Sequence, residues 1–278
     1  MKQYSFYFRV ARYGIEICTS DRKLFVQLKK CYLCINKDER YLYTKIIIDE
    51  SAFGLLTINR NASRLFIISF PPRRYNKYSI FFVIRAFLSV YLLSKNVLLF
   101  HGSAFIKNKK AYAFIGPSGM GKSTIVRKVE VKNRLGDDST VIGVENKKVY
   151  CYTSPFDNLK MPGMTYQKCE LGSLFKIVQS SVSKLVTMEK SALIDFLFKN
   201  NFFYLYIFPR MAYKNKKEMK KQFSTEKQIT HGGMVASPEN LINVLSAVST
   251  LSTRVCARKL LFTRDCGFLN TFLQEGEK

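Results

Sequence analysis

The sequence predicts an α/β protein with an α+β tendency, a mixed β-sheet core behind a small β-rich N-terminal region. Three observations predict it. Up to residue 68, short apolar runs separated by polar breakers carry a strand-like pattern. A hairpin then leads directly into a glycine-rich loop, so the strand before the loop has an antiparallel partner and the surrounding sheet is mixed. Two helices with a one-sided apolar face come late in the chain, after further strands.

Taken in order, strands are expected at residues 5–10, 13–18, 45–48, 55–58 and 65–70. Pro71-Pro72-Arg73-Arg74 breaks this pattern, and residues 80–93 have the length and apolar density of a buried helix. A boundary near residue 75 therefore divides the chain into a β-rich region, 1–75, and a larger domain, 76–278, that carries the glycine-rich loop. Residues 97–106, a turn at Asn108-Lys109 and residues 111–115 form the hairpin. Strands at 140–144 and 148–152 follow, then a Pro- and Gly-bearing loop over 154–163. Thr187 is placed to cap a helix reaching Phe198, with Leu193, Phe196 and Leu197 on one face. Ser237-Pro238 opens another, with Leu241, Val244, Leu245, Val248 and Leu251 turned inward.

Composition narrows the function classes. The formal net charge of +25 suits a partner rich in phosphate or carboxylate. That excess is spread along the chain without a nucleic-acid module signature, so a nucleic-acid-dependent NTPase ranks last. The basic run at 214–221 reads as a solvated face. Seven cysteines at irregular spacing do not form a disulfide framework, and Cys31 and Cys34 read as two half-buried strand cysteines with no metal between them. No secretory h-region opens the chain, and the apolar stretch 80–93 is interrupted by Arg85 and too short to span a bilayer. A cytoplasmic protein with no membrane partner is expected, and a homo-oligomer is compatible with it.

The chemistry is concentrated in Gly116-Pro117-Ser118-Gly119-Met120-Gly121-Lys122-Ser123, which satisfies the G-x-x-x-x-G-K-[ST] pattern in full. Glycines let the backbone fold close around phosphate oxygens, loop amides and the following helix start, through Thr124, supply positive charge, Lys122 reaches the terminal phosphates and Ser123 can ligate magnesium. ATP and Mg2+ are the expected cofactors. Downstream, Asp137-Asp138 offers two carboxylates for general-base work and magnesium ligation, although an Asp-Asp dipeptide is also a common turn and Leu135 is the only apolar residue of the preceding strand. His101, in His101-Gly102-Ser103 on the first hairpin strand, can bring an imidazole beside the terminal phosphate. His231 falls in a loop and is given no role.

In this order, His101-Gly102-Ser103-Ala104, the loop 116–123 and Asp137-Asp138 resemble the HPr kinase/phosphorylase family, within the phosphoenolpyruvate-carboxykinase-like P-loop superfamily. The resemblance extends more faintly to the β-rich start, residues 171–179 and residues 259–265. It implies a mixed-sheet P-loop core of that type and a magnesium-dependent kinase. Such a kinase moves the γ-phosphate of ATP onto a serine hydroxyl of a small protein, a peptide or free serine. It also implies Lys122 and Ser123 as phosphate and magnesium residues, one of Asp137 and Asp138 as base, Asp138 with Ser123 at the metal, and His101 beside the phosphate. The phosphorylase signature has no counterpart over 157–172, so reverse phosphorolysis is not expected. A nucleotide-binding regulatory or scaffold protein that keeps the pocket without efficient transfer is the alternative.

Overall fold

The computed structural model describes residues 3–38, 42–50, 57–62, 64–70, 77–156, 165–202 and 238–263. The N-terminal strands β1 (Tyr4–Val10), β2 (Tyr13–Thr19), β3 (Tyr43–Glu50), β4 (Thr57–Ala62) and β5 (Leu65–Phe70) form one sheet in the order β1-β2-β3-β5-β4. β2, β3 and β5 are mutually parallel, while β1 and β4 pair antiparallel at the two edges.

The β2-to-β3 crossover contains a helix that the strand-like reading of this region did not anticipate, α1 (Arg22–Lys29). Asp21 caps it by accepting from the Lys23 and Leu24 amides at 2.7 and 3.1 Å, and Leu24 and Leu28, one turn apart, supply its buried stripe. Cys31 and Cys34 lie in the turn after α1 and not on strands. They are half-buried, with their Sγ atoms 3.5 and 3.4 Å from the Gln27 and Lys29 carbonyls.

Helix α2 (Lys77–Tyr91) is apolar nearly all round because it is packed between two sheets. On one side Phe87 meets Phe66 of β5 with ring centroids 4.7 Å apart, and Phe81 meets Tyr32 at 5.2 Å. The same core takes in Leu99, Val141, Tyr152 and Phe156 from the second sheet side. Mixed α/β architecture is thus what the chain forms.

The second sheet comprises β6 (Val97–Lys107), β7 (Lys110–Ile115), β8 (Arg134–Gly136), β9 (Ser139–Glu145), β10 (Lys148–Tyr152), β11 (Lys168–Gln179), β12 (Lys184–Thr187) and β13 (Ala257–Phe262). Its order is β10-β9-β6-β7-β11-β13-β12, with β8 on β6 and a further pairing of β10 with β11. β6 and β7 are the expected hairpin. Asn108 and Lys109 both take positive φ, 49° and 59°, as a tight two-residue turn requires. β7 is antiparallel to β6 and parallel to β11, which makes the sheet mixed.

Side-chain alternation sorts the strands' residues between two cores. Ala111, Ala113 and Ile115 of β7 face α4 (Lys190–Asn200) and α5 (Pro238–Ser252), and Tyr112 and Phe114 face α3 (Lys122–Arg127). Leu193, Phe196 and Leu197 of α4 are buried as their spacing predicts. Thr187, however, ends β12, and the N-cap position of α4 is Glu189. Leu245 of α5 is 42% exposed, with Ala247 taking an inward place beside Val244, Val248 and Leu251.

The expected boundary at 75, the Pro71-Pro72-Arg73-Arg74 break, the basic run 214–221, His231, Ser237 and Cys266 lie outside the described residues, as do most of the 154–163 loop and residues 264–265 of the C-terminal resemblance. Among the described residues no helix is long and apolar enough to cross a membrane.

Candidate active site

β6 carries the geometry that assembles the site. Its first half, Val97 to His101, pairs with β9, and Gly102 to Lys107 pairs with β7. Along the β9 edge, Ala104 lies opposite Gly136 and His101 opposite Ser139. Carrying that register through the gap between β8 and β9 places Asp138 opposite Gly102, and the Gly102 amide donates to the Asp138 carbonyl at 3.2 Å. The two aspartates therefore interrupt a strand rather than form a free turn. Arg134-Leu135-Gly136 is a fully buried strand despite holding one apolar residue. It is tolerated because the Arg134 guanidinium donates to the Val129 and Arg127 carbonyls, each at 2.8 Å.

The loop between β7 and α3 starts beside this gap. Gly119 and Gly121 take φ of 79° and 94°, the left-handed region that glycine enters without a Cβ penalty. A Cβ on Gly121 would come 2.7 Å from the Phe262 ring, whereas one on Gly119 would meet open space. Lys122 is buried, and its ammonium donates to the Gly116 and Pro117 carbonyls at 2.7 and 2.6 Å, so the loop closes around its own lysine. Burial pushes the Lys122 amine down to about 8, against the pull of the Asp138 charge. Gly119 is anchored from outside by the Gln179 amide, which donates to its carbonyl at 3.1 Å. Pro117, Ser118 and Gly119 are exposed, Met120 is half-buried and Thr124 is exposed on α3. That helix is only six residues long, so loop amides and Lys122 supply the positive charge rather than a helix dipole.

Three hydrogen bonds tie the loop to the strands. The Ser123 hydroxyl donates to the Asp137 carbonyl at 3.2 Å, the Ser103 hydroxyl to the Lys122 carbonyl at 3.0 Å, and the Gly116 amide to the His101 carbonyl at 3.4 Å. His101, Lys122, Ser123, Asp137 and Asp138 are thereby brought together.

Comparison with protein-family models gives no match, and comparison with curated proteins gives none either. The reading of the site therefore stands on its residues.

One residue enters the site that its sequence context did not announce. Arg85, on α2, donates to Asp138 Oδ2 at 2.9 Å and to the Ser139 hydroxyl at 3.1 Å. His101 Nε2 stands 3.5 Å from the other oxygen, Oδ1. Burial acts to raise the Asp138 carboxyl, but the His101 hydrogen bond and the Arg85 charge outweigh it and hold the group below its ordinary range. Burial lowers His101, only partly offset by the Asp138 hydrogen bond and charge, which favours the neutral imidazole. Phe202 closes this side, with its ring 4.2 Å from the Arg85 guanidinium carbon and 6.1 Å from the His101 ring. The available signal for Arg85 was an arginine inside an otherwise apolar helix, since a buried guanidinium calls for a carboxylate partner.

Glycine-shaped backbone and a buried ammonium fit the phosphates of a nucleotide. The Ser123 hydroxyl and the neighbouring carboxylates are hard oxygen donors of the kind magnesium takes, usually together with phosphate oxygens and water. Among the described residues no group of three or more His, Cys, Asp and Glu gathers into a metal cluster, and a phosphate-assisted site does not need one.

Proposed function

We propose that this chain is an ATP-dependent, HPr-kinase-like phosphotransferase acting on a serine hydroxyl of a small protein, a peptide or free serine. The observation that carries the proposal is the placement of a phosphate-type loop directly against a His101–Asp138 pair, through the Gly116-to-His101 and Ser123-to-Asp137 hydrogen bonds. In such a reaction Lys122 releases the Gly116 and Pro117 carbonyls and turns to the terminal phosphates, and the loop amides hold the remaining oxygens. Ser123 and Asp138 would hold magnesium, which would supply charge neutralisation for the transferring phosphoryl group. A carboxylate of the Asp137-Asp138 pair orients the serine hydroxyl and takes its proton as the new phosphate ester bond forms, while the bond from the γ-phosphorus to the bridging oxygen breaks and ADP leaves. Because the transition state is loose, a weakly basic carboxylate suffices, and positioning does most of the catalytic work. Neutral His101 keeps the carboxylate in place and adds no charge that would repel Lys122.

Calorimetric titration of the chain with ATP, in the presence and absence of magnesium, tests the first half of this proposal. Saturable, magnesium-strengthened binding is expected, and no binding in either condition would contradict it. A chain that binds ATP but transfers phosphate to no acceptor would be a nucleotide-dependent regulatory protein instead.

A further inference from the structure

Arg85 belongs to neither the glycine-rich loop nor the strands that carry His101 and Asp138, yet it makes the shortest charged contact to the site carboxylate. Its side chain is 3% exposed, and the guanidinium carbon is 5.4, 5.0 and 4.2 Å from the ring centroids of Phe81, Phe82 and Phe202. An arginine in such surroundings loses most of its hydration, and the loss is offset only where a carboxylate and further acceptors meet it in good geometry. Here those acceptors are Asp138 Oδ2 and the Ser139 hydroxyl, adjacent residues at the gap between β8 and β9.

The helix that presents Arg85 is itself held between the N-terminal sheet and the segment that follows β10. Phe81, one turn before Arg85, is locked against Tyr32 and Phe156, with centroids 5.2 and 6.2 Å away, and Phe87 is locked against Phe66. With the helix seated in this way, the guanidinium is held among the three rings and meets the Asp138 carboxylate from the α2 side.

We propose that Arg85 is a positioning residue for the transfer reaction: it fixes the Asp138 carboxylate from the α2 side while His101 fixes it from β6. The orientation of Asp138 beside the loop is thereby set by how the N-terminal sheet seats α2. This inference rests on the phosphotransferase reading above. It adds a residue outside the loop-and-strand constellation and gives the N-terminal sheet a part in catalysis. Arg85 touches neither the nucleotide loop nor Lys122 through any hydrogen bond described above, so its effect is expected in turnover and not in nucleotide binding.

The test uses the full chain with magnesium and ATP, following phosphate release to water, in wild type, Arg85→Lys, Arg85→Met, Asp138→Asn and the Arg85→Met/Asp138→Asn double variant. Thermal unfolding and ADP affinity are measured on each. Turnover of Arg85→Met is expected to fall about 100-fold with KM for ATP and ADP affinity within about 3-fold of wild type. Arg85→Lys should recover about 10-fold of that loss, since it restores charge without the planar fork. The double variant should fall no more than about 3-fold below Asp138→Asn alone, because a residue acting through Asp138 has nothing left to position. Wild-type turnover in Arg85→Met, or losses that multiply in the double variant, would overturn the proposal while leaving the phosphotransferase reading intact. A purely structural role would show as parallel loss of ADP affinity and thermal stability without lysine rescue, which also overturns it. A wild-type chain that binds ATP yet passes phosphate neither to water nor to any serine acceptor would remove the phosphotransferase reading and this inference together.

Discussion

The glycine-rich loop and the Arg85–His101–Asp138 cluster lie against each other and are built in opposite ways. The loop is eight consecutive residues shaped mainly by backbone, with two glycines at positive φ and a lysine bonded to its own carbonyls. The cluster draws one side chain each from α2, β6 and the gap between β8 and β9, and its central ion pair joins residues 53 apart in sequence. A contiguous, backbone-built site is robust to the sequence around it and binds by shape. A cluster assembled from separate elements depends on how those elements pack, and it is the part suited to the chemical step.

That contrast is broken or sharpened first by Asp138→Asn. Its turnover should fall about 1000-fold while nucleotide affinity measured without magnesium stays within about 3-fold. Paired binding and steady-state measurements check this, and equal losses in both would merge the two regions into one. Lys122→Met should do the reverse at the level of binding, weakening ATP by about 100-fold. Calorimetry reads it directly, and circular dichroism should report an unchanged fold.

The two regions also differ in how much of each was legible in the sequence. The hairpin and the loop could be read because their signals are local: Asn108-Lys109 between apolar runs, and a motif of fixed spacing. The inward faces of Leu193, Phe196 and Leu197 followed from helical periodicity in the same way. Of the cluster, His101 and Asp138 were named, but Arg85 could not be read, because nothing near it in sequence names Asp138 as its partner. Arg134-Leu135-Gly136 was read as a strand, but its full burial was hidden for a related reason, since that burial depends on carbonyls of Arg127 and Val129 that satisfy an arginine. Helix α1 escaped notice because it is eight residues long, although Asp21 and the Leu24/Leu28 pair carried its cap and its buried stripe. Thr187 was misplaced because a cap two residues further on and a strand end satisfy the same local preferences.

Within the loop, the glycines allow a finer comparison. Gly121→Ala combines a positive φ with a 2.7 Å approach to the Phe262 ring, and should destabilise the chain by about 2–3 kcal/mol. Gly119→Ala meets open space and should cost only the backbone strain, about 1 kcal/mol. Denaturant unfolding of both variants checks the difference, and equal costs would contradict the packing against Phe262.

A pH dependence carried by Lys122 is a further comparison. Its amine falls from an ordinary 10.5 to about 8 in the folded chain. Between those values the unfolded chain binds the extra proton, so stability rises with pH across this window, and below it the buried charge is a constant cost. Comparing unfolding of wild type and Lys122→Met at pH 7.5 and 10 should show this rise, on the order of 1–3 kcal/mol, in wild type only. A rise of equal size in both would assign it to other lysines.

The most direct test of the central claim is transfer itself. The chain is incubated with γ-labelled ATP, magnesium and, separately, free serine, serine-bearing peptides and small HPr-like proteins, beside Asp138→Asn and Lys122→Met. The account predicts label on a serine hydroxyl with wild type, and loss of that label in both variants, with ATP still bound by Asp138→Asn. Tight ATP binding by wild type with no label on any serine would contradict it.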